Sequence, residues 1–335
     1  MRKIFAFLSS AVFLMILISG CGAKTDTTIP EHFPIGAGML RSFAVDEGGS
    51  VYYWGIDFGT EENIGTEDFS TIPEHLVTEP QLVTEGVSSV FATDCSALFL
   101  KEDGSLWILG TPTMTGDFCA PEPVWLMDNV VSADLSGSDI LAVDGDGALW
   151  TFKNSLNQPV KLLEDIAYVS AYTGGGWYAV GRDGSLWERD SDVCVMENVA
   201  VAVCAGQTSA AIKKDGSLWV WSGDSGTEPT KIDKDVIYVE AGEISQYESC
   251  VMYITSDSAL WVIGYDSRTG ETYDKPKKIM DGAAAVSIYG SFVLAAKTDG
   301  TVEGWGDNSM GGLCSADLEA TGPLTIPVPK TISPR

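Results

Sequence analysis

The chain has 335 residues, of which 20 are basic and 47 acidic, and its formal net charge at pH 7 is −27. A surface this acidic repels nucleic acid, because binding to a phosphate backbone depends on clustered lysine and arginine. The length is ample for a single large domain.

The first residues have the pattern of an export signal. Arg2 and Lys3 precede an apolar run from Ile4 to Ile18, and small residues follow it. A basic start and a short apolar stretch are typical of a signal peptide rather than of a membrane-spanning helix. The boundary Ser-Gly-Cys21 resembles the bacterial lipobox, and this resemblance implies that Cys21 carries a lipid.

We therefore predict a lipoprotein signal peptide over 1–20, a lipidated cysteine with a polar linker over 21–30, and an acidic domain over 31–335. The predicted localisation is extracytoplasmic, with a lipid anchor as the only contact with the membrane. An ordinary signal peptide and a short membrane anchor are the alternatives.

A short phrase recurs seven times over 31–335. Its clearest copy is Asp-Gly-Ser-Leu-Trp from Asp103 to Trp107, and its turn position recurs at 49, 104, 147, 184, 216, 258 and 300. Asp-Gly tolerates the positive φ that a hairpin turn requires. A strand-rich repeat of about 40 residues indicates a closed or stacked array of sheets.

Each copy predicts four strands. Around Asp103 these are 87–92, 97–100, 106–109 and 123–126, and the two middle strands are apolar on both faces. The fourth strand begins with a proline in five units (Pro80, Pro123, Pro159, Pro229 and Pro276), and proline suits an edge strand because it cannot donate to a ladder. This pattern predicts an all-β fold, a seven-bladed β-propeller with four-stranded antiparallel blades.

The ends of the chain predict how the ring is built. An inner strand is expected near Phe33 to Ala37, and Pro327 to Ile332 has the pattern of the outer strand of the seventh blade. All seven blades are then contiguous, with no strand shared between the two ends.

Eight of the ten tryptophans fall into two columns on the third strands. One column holds Trp107, Trp150, Trp187, Trp219 and Trp261, and the other holds Trp54, Trp221 and Trp305. Residues two apart in a strand share a face, so both columns are expected to wedge between adjacent blades.

These residues resemble the regulator of chromosome condensation repeats. The segments Val199 to Gly206, Ser209 to Ile212 and Asp215 to Trp221 carry the repeat pattern, and Gly306 to Cys314 approaches the family's glycine-rich loop. The resemblance implies a seven-bladed propeller; a Trp-Asp-repeat propeller is the alternative, but the chain has no Trp-Asp dipeptide. Export and strong acidity conflict with the nucleotide exchange and chromatin binding of the nuclear members. A secreted member that inhibits β-lactamases through loops on one face is the nearer analogy.

The sequence offers little for catalysis. The two histidines, His32 and His75, cannot form a histidine-rich metal site, and the Gly-Asp-Ser-Gly string at 223–226 lies in a loop between strands. The acidic pairs at 144–147 and 61–68 are better explained as a turn and a solvated loop than as calcium sites. We therefore predict no enzyme activity and no cofactor or metal. The six cysteines after Cys21 are interpreted as mostly unpaired, with disulfides left open.

Function is expected on loops at one end of the ring, where the turns between first and second strands meet. The predicted partner-binding residues there are Arg41, Asp94, Asp139, Trp177, Gln207, Tyr247, Glu248 and Phe292. The leading hypothesis is a monomeric, non-enzymatic protein-binding module at the cell surface. A carbohydrate or peptidoglycan binder is the second, and a hydrolase or lyase using carboxylates at the tunnel mouth is the third.

Overall fold

The computed structural model describes residues 32–57, 75–94, 96–110, 120–136, 139–152, 158–172, 176–189, 193–206, 208–222, 227–245 and 248–332. These residues form seven four-stranded antiparallel sheets, each made from four strands that are consecutive in the chain. The inner strands contact one another in sequence around a ring, and blade 7 contacts blade 1. The predicted all-β, seven-bladed propeller is confirmed. Within the described ranges, no helix is long and apolar enough to cross a membrane.

The strands are given from the ring axis outward, blade by blade. Blades 1 to 4 contain β1 (Ile35–Gly36), β2 (Arg41–Val45), β3 (Val51–Ile56) and β4 (Leu76–Thr84); β5 (Val87–Ala92), β6 (Ser96–Lys101), β7 (Leu106–Gly110) and β8 (Ala120–Met127); β9 (Val130–Ser136), β10 (Asp139–Asp144), β11 (Leu149–Thr151) and β12 (Val160–Leu163); β13 (Ile166–Tyr172), β14 (Gly176–Gly181), β15 (Leu186–Glu188) and β16 (Cys194–Met196). Blades 5 to 7 contain β17 (Val199–Ala205), β18 (Thr208–Lys213), β19 (Leu218–Ser222) and β20 (Thr230–Asp233); β21 (Val236–Ser245), β22 (Glu248–Thr255), β23 (Ala259–Asp266) and β24 (Glu271–Asp281); β25 (Ala283–Tyr289), β26 (Phe292–Lys297), β27 (Val302–Gly306) and β28 (Leu324–Ile326).

The recurring turn joins each blade to the next. In six blades the backbone carbonyl of the turn residue accepts a hydrogen bond from the first amide of the following inner strand; for example, Val87 donates to Gly49 at 2.9 Å and Val130 donates to Gly104 at 2.8 Å. The position of the glycine therefore determines both the hairpin within a blade and the start of the next blade. Because this hydrogen bond recurs, each repeat of the sequence is placed in the same way against the blade before it.

The C-terminal residues complete the ring in a way that the sequence did not predict. The outer strand of blade 7 is β28, so the expectation that Pro327 to Ile332 forms this strand is wrong. Thr331 instead pairs with Asp46 beside blade 1, and its amide donates to the carbonyl of Gly300 at 2.9 Å. Thr331 therefore makes the hydrogen bond that a first inner-strand residue makes elsewhere in the ring.

The innermost strand of blade 1 is thus shared between the chain ends. β1 has only two residues, and the carbonyl of Lys330 accepts a hydrogen bond from Glu47 at 2.8 Å, as the residues preceding the other inner strands do in their own blades. The expectation of a ring without a shared strand is corrected on this point. A strand contributed by both ends covers backbone groups that an open seam would leave unpaired.

The two tryptophan columns differ in burial. Trp54, Trp221 and Trp305 are 0, 7 and 2 % exposed and lie in the cores between blades. The five tryptophans of the other column are only half-buried. Only the column of Trp54, Trp221 and Trp305 is therefore fully enclosed between blades, and the other column lies two residues nearer to the recurring turn.

Candidate functional site

A cavity of about 430 Å³ occupies the centre of the ring. It is lined by the C-terminal parts of the inner strands of blades 2 to 7 and therefore lies toward the end of the ring where the turns between first and second strands meet. Phe33 reaches into the ring as well, with its ring centroid 5.2 Å from that of Phe91 and 6.1 Å from that of Tyr238. The cavity is the concave site that the propeller architecture makes available.

One position of the inner strand is equivalent in all seven blades. Its partner on the second strand lies six residues before the recurring turn position, for example Phe91 opposite Leu98, six residues before Gly104. The residues at this position are Gly36, Phe91, Asp134, Ser170, Val203, Glu240 and Ser287. Five of them line the cavity, and two of those five are carboxylates.

Asp134 is held between two blades. Its Oδ1 accepts a hydrogen bond from the amide of Leu135 at 2.8 Å, and its Oδ2 accepts one from the amide of Ala171 at 2.9 Å. Burial raises the pKa of Asp134 from its ordinary 3.8 to about 6, although these hydrogen bonds and one from Ser170 favour the ionised form. Its charge changes close to neutral pH.

Glu240 has a different environment. Among the residues that the structure describes, it has neither a hydrogen-bond donor nor an ion-pair partner. Burial raises the pKa of Glu240 well above its ordinary 4.5, and the charge of Asp134 raises it further. Two carboxylates are therefore electrostatically coupled across the ring, and both are harder to ionise than carboxylates in water.

A tyrosine and a cysteine beside these carboxylates are neutral near pH 7. Burial, followed by the charges of Asp134 and Glu240, raises the pKa of Tyr168 well above 10.0. Burial likewise raises the pKa of the Cys204 thiol well above 9.0. A protonated thiol is a poor nucleophile, so Cys204 does not have the properties of a catalytic cysteine.

Two of the residues predicted from the sequence lie near this end of the cavity. Asp94 lines it and accepts a short hydrogen bond from the hydroxyl of Tyr289. Arg41 shares a small crevice with Asp94 between blades 1 and 2, and its Nη2 is 2.5 Å from Oδ1 of Asp57. Arg41 is thus already engaged within its own blade.

Three predicted residues are not available to a partner. Trp177 and Phe292 are 8 and 5 % exposed and lie in hydrophobic cores, and Asp139 is 4 % exposed and forms an ion pair with Arg189 at 3.3 Å. Each belongs to a second strand rather than to the turn before it, and its side chain is enclosed between blades. The expectation that they form a binding surface is wrong for this reason.

The remaining predictions have varied outcomes. Glu248 is exposed at the start of β22, where a partner could reach it. Gln207, Tyr247 and the lipidation site Cys21 lie outside the described residues, as do Cys95 and Cys119. Cys194, Cys204, Cys250 and Cys314 are free thiols.

The acidic motif at 144–147 is a turn. Oδ1 of Asp144 accepts hydrogen bonds from the amides of Asp146 and Ala148, and Oδ2 accepts one from the indole of Trp150. Nowhere in the described ranges do three or more His, Cys, Asp or Glu side chains converge as metal ligands. The acidic insertion 61–68 lies outside these ranges.

The sequence analysis missed the inner-strand carboxylates. Asp134 and Glu240 are each flanked by apolar residues, in Ala-Asp-Leu and Val-Glu-Ala, at one and the same position of the repeat. Aligning the inner strands would have shown two charges at a position that is otherwise small or apolar. That alignment requires knowing which residues of the first and second strands pair, and the recurring turn motif gives this register only approximately.

The chain matches no family model and no curated protein. Solved structures are similar to it. Prp20p of Saccharomyces cerevisiae, described with its binding to Gsp1p and histones, is 15 % identical over 88 % of this chain and 76 % of its own, with a TM-score of 0.48. Human WBSCR16 is 14 % identical over 88 % of this chain and 81 % of its own, with a TM-score of 0.47.

A third structure is PorZ, described as an essential surface component of the type-IX secretion system of Porphyromonas gingivalis. It is 13 % identical over 90 % of this chain, which spans 39 % of PorZ, and the TM-score is 0.53. The solved structures similar to this chain thus include Prp20p, the yeast RCC1. The similarity to PorZ, at 13 % identity, extends to the fold alone.

Proposed function

We propose that this chain is a non-enzymatic, protein-binding propeller held at the bacterial cell surface by a lipid on Cys21. The observation that carries the proposal is the axial cavity, which lies at the end of the ring where the turns of several blades converge. A concave site surrounded by loops from different blades suits recognition of another protein. PorZ is a surface component in another bacterium, so a surface role has a precedent in a protein of similar fold.

The anchor has its own test. Replacement of Cys21 by serine removes the only thiol at the predicted cleavage boundary. We expect the wild-type chain in the membrane fraction and the Cys21→Ser chain in the soluble extracytoplasmic or secreted fraction, because a lipid chain supplies the membrane affinity. If both chains distribute alike between fractions, the lipid anchor is rejected.

The binding end is tested with two charge-reversal variants. Glu248→Lys changes an exposed residue beside the turns at the cavity end, and Glu122→Lys makes the same change on the exposed outer strand β8. Envelope proteins captured by the full-length chain should be lost with Glu248→Lys and kept with Glu122→Lys. Equal loss from both variants would mean that net charge, rather than the proposed end of the ring, controls capture.

The carbohydrate alternative loses two of its supporting residues. Stacking on a sugar ring needs exposed aromatic faces, and Trp177 and Phe292 are buried in the cores. The capture experiment separates the two hypotheses, since a glycan binder would retain peptidoglycan fragments and enrich no protein.

One observation favours the hydrolase as a second candidate. Asp134 and Glu240 are carboxylates with raised pKa values inside a cavity, and such groups occur at catalytic sites. A hydrolase would release its captured partner cleaved, and Glu240→Gln would prevent the cleavage. A partner recovered intact with the wild-type chain favours the binding module.

A further inference from the structure

In the part of the chain that the structure describes, the lining of the axial cavity contains acidic side chains and no basic ones. Asp94, Asp134, Glu240 and Glu243 line it, and none of the described residues around it is a lysine, arginine or histidine. Protein walls of low dielectric strengthen the field of such a cluster, because they screen charge less than bulk water does. The cavity therefore attracts positive charge that the described residues of its lining do not supply.

Glu240 is the cavity carboxylate that lacks a partner among the described residues. Its carboxylate receives no hydrogen bond and forms no ion pair within the described part of the chain, whereas Asp134 receives two backbone hydrogen bonds. Glu240 is half-buried and lines the cavity, so a bound group there can supply the partner that the described residues do not. Burial is the first cause of the raised pKa of both groups, and Glu240 receives no hydrogen bond from the described residues that would offset it.

A second polar group at the cavity also lacks a partner. Ser136 lines the cavity two residues after Asp134 on β9, and its side chain is on the same face of the strand. The residue is 4 % exposed, and its Oγ has no hydrogen-bond partner in the part of the chain described. A buried hydroxyl without a partner is uncommon, and here it adds an acceptor beside the carboxylates.

The rest of the lining suits an organic cation better than a metal ion. Phe33, Phe91, Tyr168, Tyr172 and Tyr289 contribute aromatic rings, which attract cations at their faces and also accommodate methylene groups. A divalent metal would need several oxygen ligands at close range, and no three acidic or thiol side chains of the described residues are placed to hold one. An alkylammonium group has three donors on a slender apolar stem, and such a group matches carboxylate, hydroxyl and aromatic walls together.

We propose that the axial cavity binds a primary alkylammonium group, held by the carboxylates of Glu240 and Asp134 with the hydroxyl of Ser136 as a further acceptor. The group has two possible sources, a lysine side chain of a protein partner or a small free polyamine. The proposal does not depend on the proposed function, because a free polyamine fits the same chemistry.

The test measures binding to the full-length chain, purified in non-ionic detergent, by isothermal titration calorimetry. The probes are spermidine and a lysine blocked at both its amino and carboxyl groups, and the neutral reference is the equivalently blocked norleucine. We expect at least one amine to bind and norleucine not to bind. If only spermidine binds, the source of the alkylammonium group is a free polyamine. If the blocked lysine binds, the source is a lysine side chain of a protein partner.

Matched variants assign the site. Glu240→Gln with Asp134→Asn should weaken amine binding at least about tenfold, equivalent to about 1.4 kcal/mol. Glu79→Gln with Glu85→Gln removes two exposed carboxylates at the outer edge of blade 1 and should leave binding unchanged. Near-ultraviolet circular dichroism checks folding. If the double variant does not fold, Glu240→Gln alone tests the site, since it removes no hydrogen bond or ion pair from the described residues. Ser136→Ala then tests the hydroxyl without changing the charge of the cavity.

Three results overturn the proposal: neither amine binds, the cavity variants bind as the wild type does, or the outer-edge control loses binding equally. Failure to capture an envelope protein would contradict the proposed function and leave this site intact. Loss of amine binding in the cavity variants with partner capture retained would place the protein partner elsewhere on the ring.

Discussion

At the residue scale, the recurring turn is a small hydrogen-bonded relay. Oδ1 of Asp215 accepts hydrogen bonds from the amide of Ser217 at 3.0 Å and from its hydroxyl at 2.6 Å, and the indole of Trp219 donates to the same hydroxyl at 2.9 Å. The same arrangement recurs in blades 2 and 4, at Asp103 and Asp183. The aspartate thus shapes the turn, and the serine joins it to the half-buried tryptophan.

Blade 3 is a natural variant of this relay. Ala148 takes the place of the serine, and the indole of Trp150 donates directly to Asp144 at 2.8 Å. In blade 6, Ala259 takes the place of the serine, and the indole of Trp261 has no hydrogen-bond partner among the described residues. Loss of the serine is therefore met in two ways, by a direct bond to the aspartate in blade 3 and by an unpaired indole in blade 6.

The first prediction concerns Ser217→Ala. Ser217 is 2 % exposed, and its removal deprives the Trp219 indole of its acceptor and Asp215 of one donor. We expect a loss of about 1–2 kcal/mol in the free energy of unfolding, measured by urea denaturation. Ala148→Ser, at the equivalent position of blade 3, is the control and should change stability by less than about 0.5 kcal/mol. Equal effects at both positions would contradict the relay.

The second prediction concerns pH. Asp134 has a pKa of about 6 in the folded protein and an ordinary value of 3.8, so folding is penalised by its ionisation. Its contribution to stability is complete below pH 3.8 and is lost as the pH rises through about 6. Because Glu240 also has a raised pKa, the wild type should lose stability between pH 4 and pH 7.

In Asp134→Asn this loss should be smaller, as measured by the urea midpoint at both pH values. Tyr168, Cys204 and Ser170 surround the same group but do not change charge in this range. Asp103, Asp183 and Asp299 act in the opposite sense, because hydrogen bonds, first of all from Ser105, Ser185 and Thr301, lower their pKa values. The stabilisation by these three aspartates is lost only below pH 3.8, outside the range compared. If Asp134→Asn loses as much stability with rising pH as the wild type does, Asp134 is not the source of that loss.

At the element scale, a left-handed residue precedes each inner strand of blades 2 to 7. These residues are Gly86, Asn129, Asp165, Asn198, Asp235 and Gly282, with φ between 57° and 73°. Glycine, asparagine and aspartate are the residues that adopt this region at least cost. The position marks the passage from the outer strand of one blade to the inner strand of the next.

The third prediction uses Gly86, where φ is 73° and an added Cβ would meet no atom within 4 Å. Gly86→Ala therefore adds conformational strain without a steric clash. We expect a loss of about 1 kcal/mol in the free energy of unfolding. Asn129→Gly, at the equivalent position of blade 3, relieves the same constraint and should not destabilise by more than about 0.5 kcal/mol. A neutral Gly86→Ala would show that the conformation is not required there.

At the scale of the whole molecule, two further contacts connect the last blade to the first, beside the packing of β1 against β25 and β26. The C-terminal residues provide one, through Thr331 to Gly300 and through Ile332, whose amide donates to Val45 at 3.2 Å. The glycine-rich loop after β27 provides the other, since the indole of Trp54 in blade 1 donates to the carbonyl of Gly312 at 2.7 Å. The loop that resembles a family signature thus has a structural role in closing the ring.

The fourth prediction is that Thr331→Pro weakens ring closure. Proline has neither an amide proton nor a hydroxyl, so both hydrogen bonds from residue 331 to the carbonyl of Gly300 are lost while the rest of the tail remains. We expect a loss of at least about 2 kcal/mol in the free energy of unfolding and faster proteolysis near the seam between blades 7 and 1. Lys330→Ala keeps every backbone group and should behave nearly as the wild type. If Thr331→Pro is as stable as Lys330→Ala, the tail does not hold the ring.

Much of the fold was predictable because its information is local. Alternation of apolar residues, Asp-Gly turns and prolines at outer strands act within a few residues, and the predicted strands 87–92 and 106–109 match β5 and β7 closely. The predicted end of blade 7 failed, because the segment after Ile326 pairs with residues nearly 300 positions earlier. No local pattern reports such a contact.

The candidate site was predictable only in its place on the ring. The sequence by itself determined the number of blades, their hairpins and the end at which loops converge, since strand period and turn conformation are properties of short segments. The tertiary structure alone decided that Trp177 and Phe292 are enclosed between blades and that Asp134 and Glu240 face one cavity. The physical reason is that burial and charge coupling depend on which blades come together around the axis, and residues from blades 3 and 6 meet there only when the ring is closed.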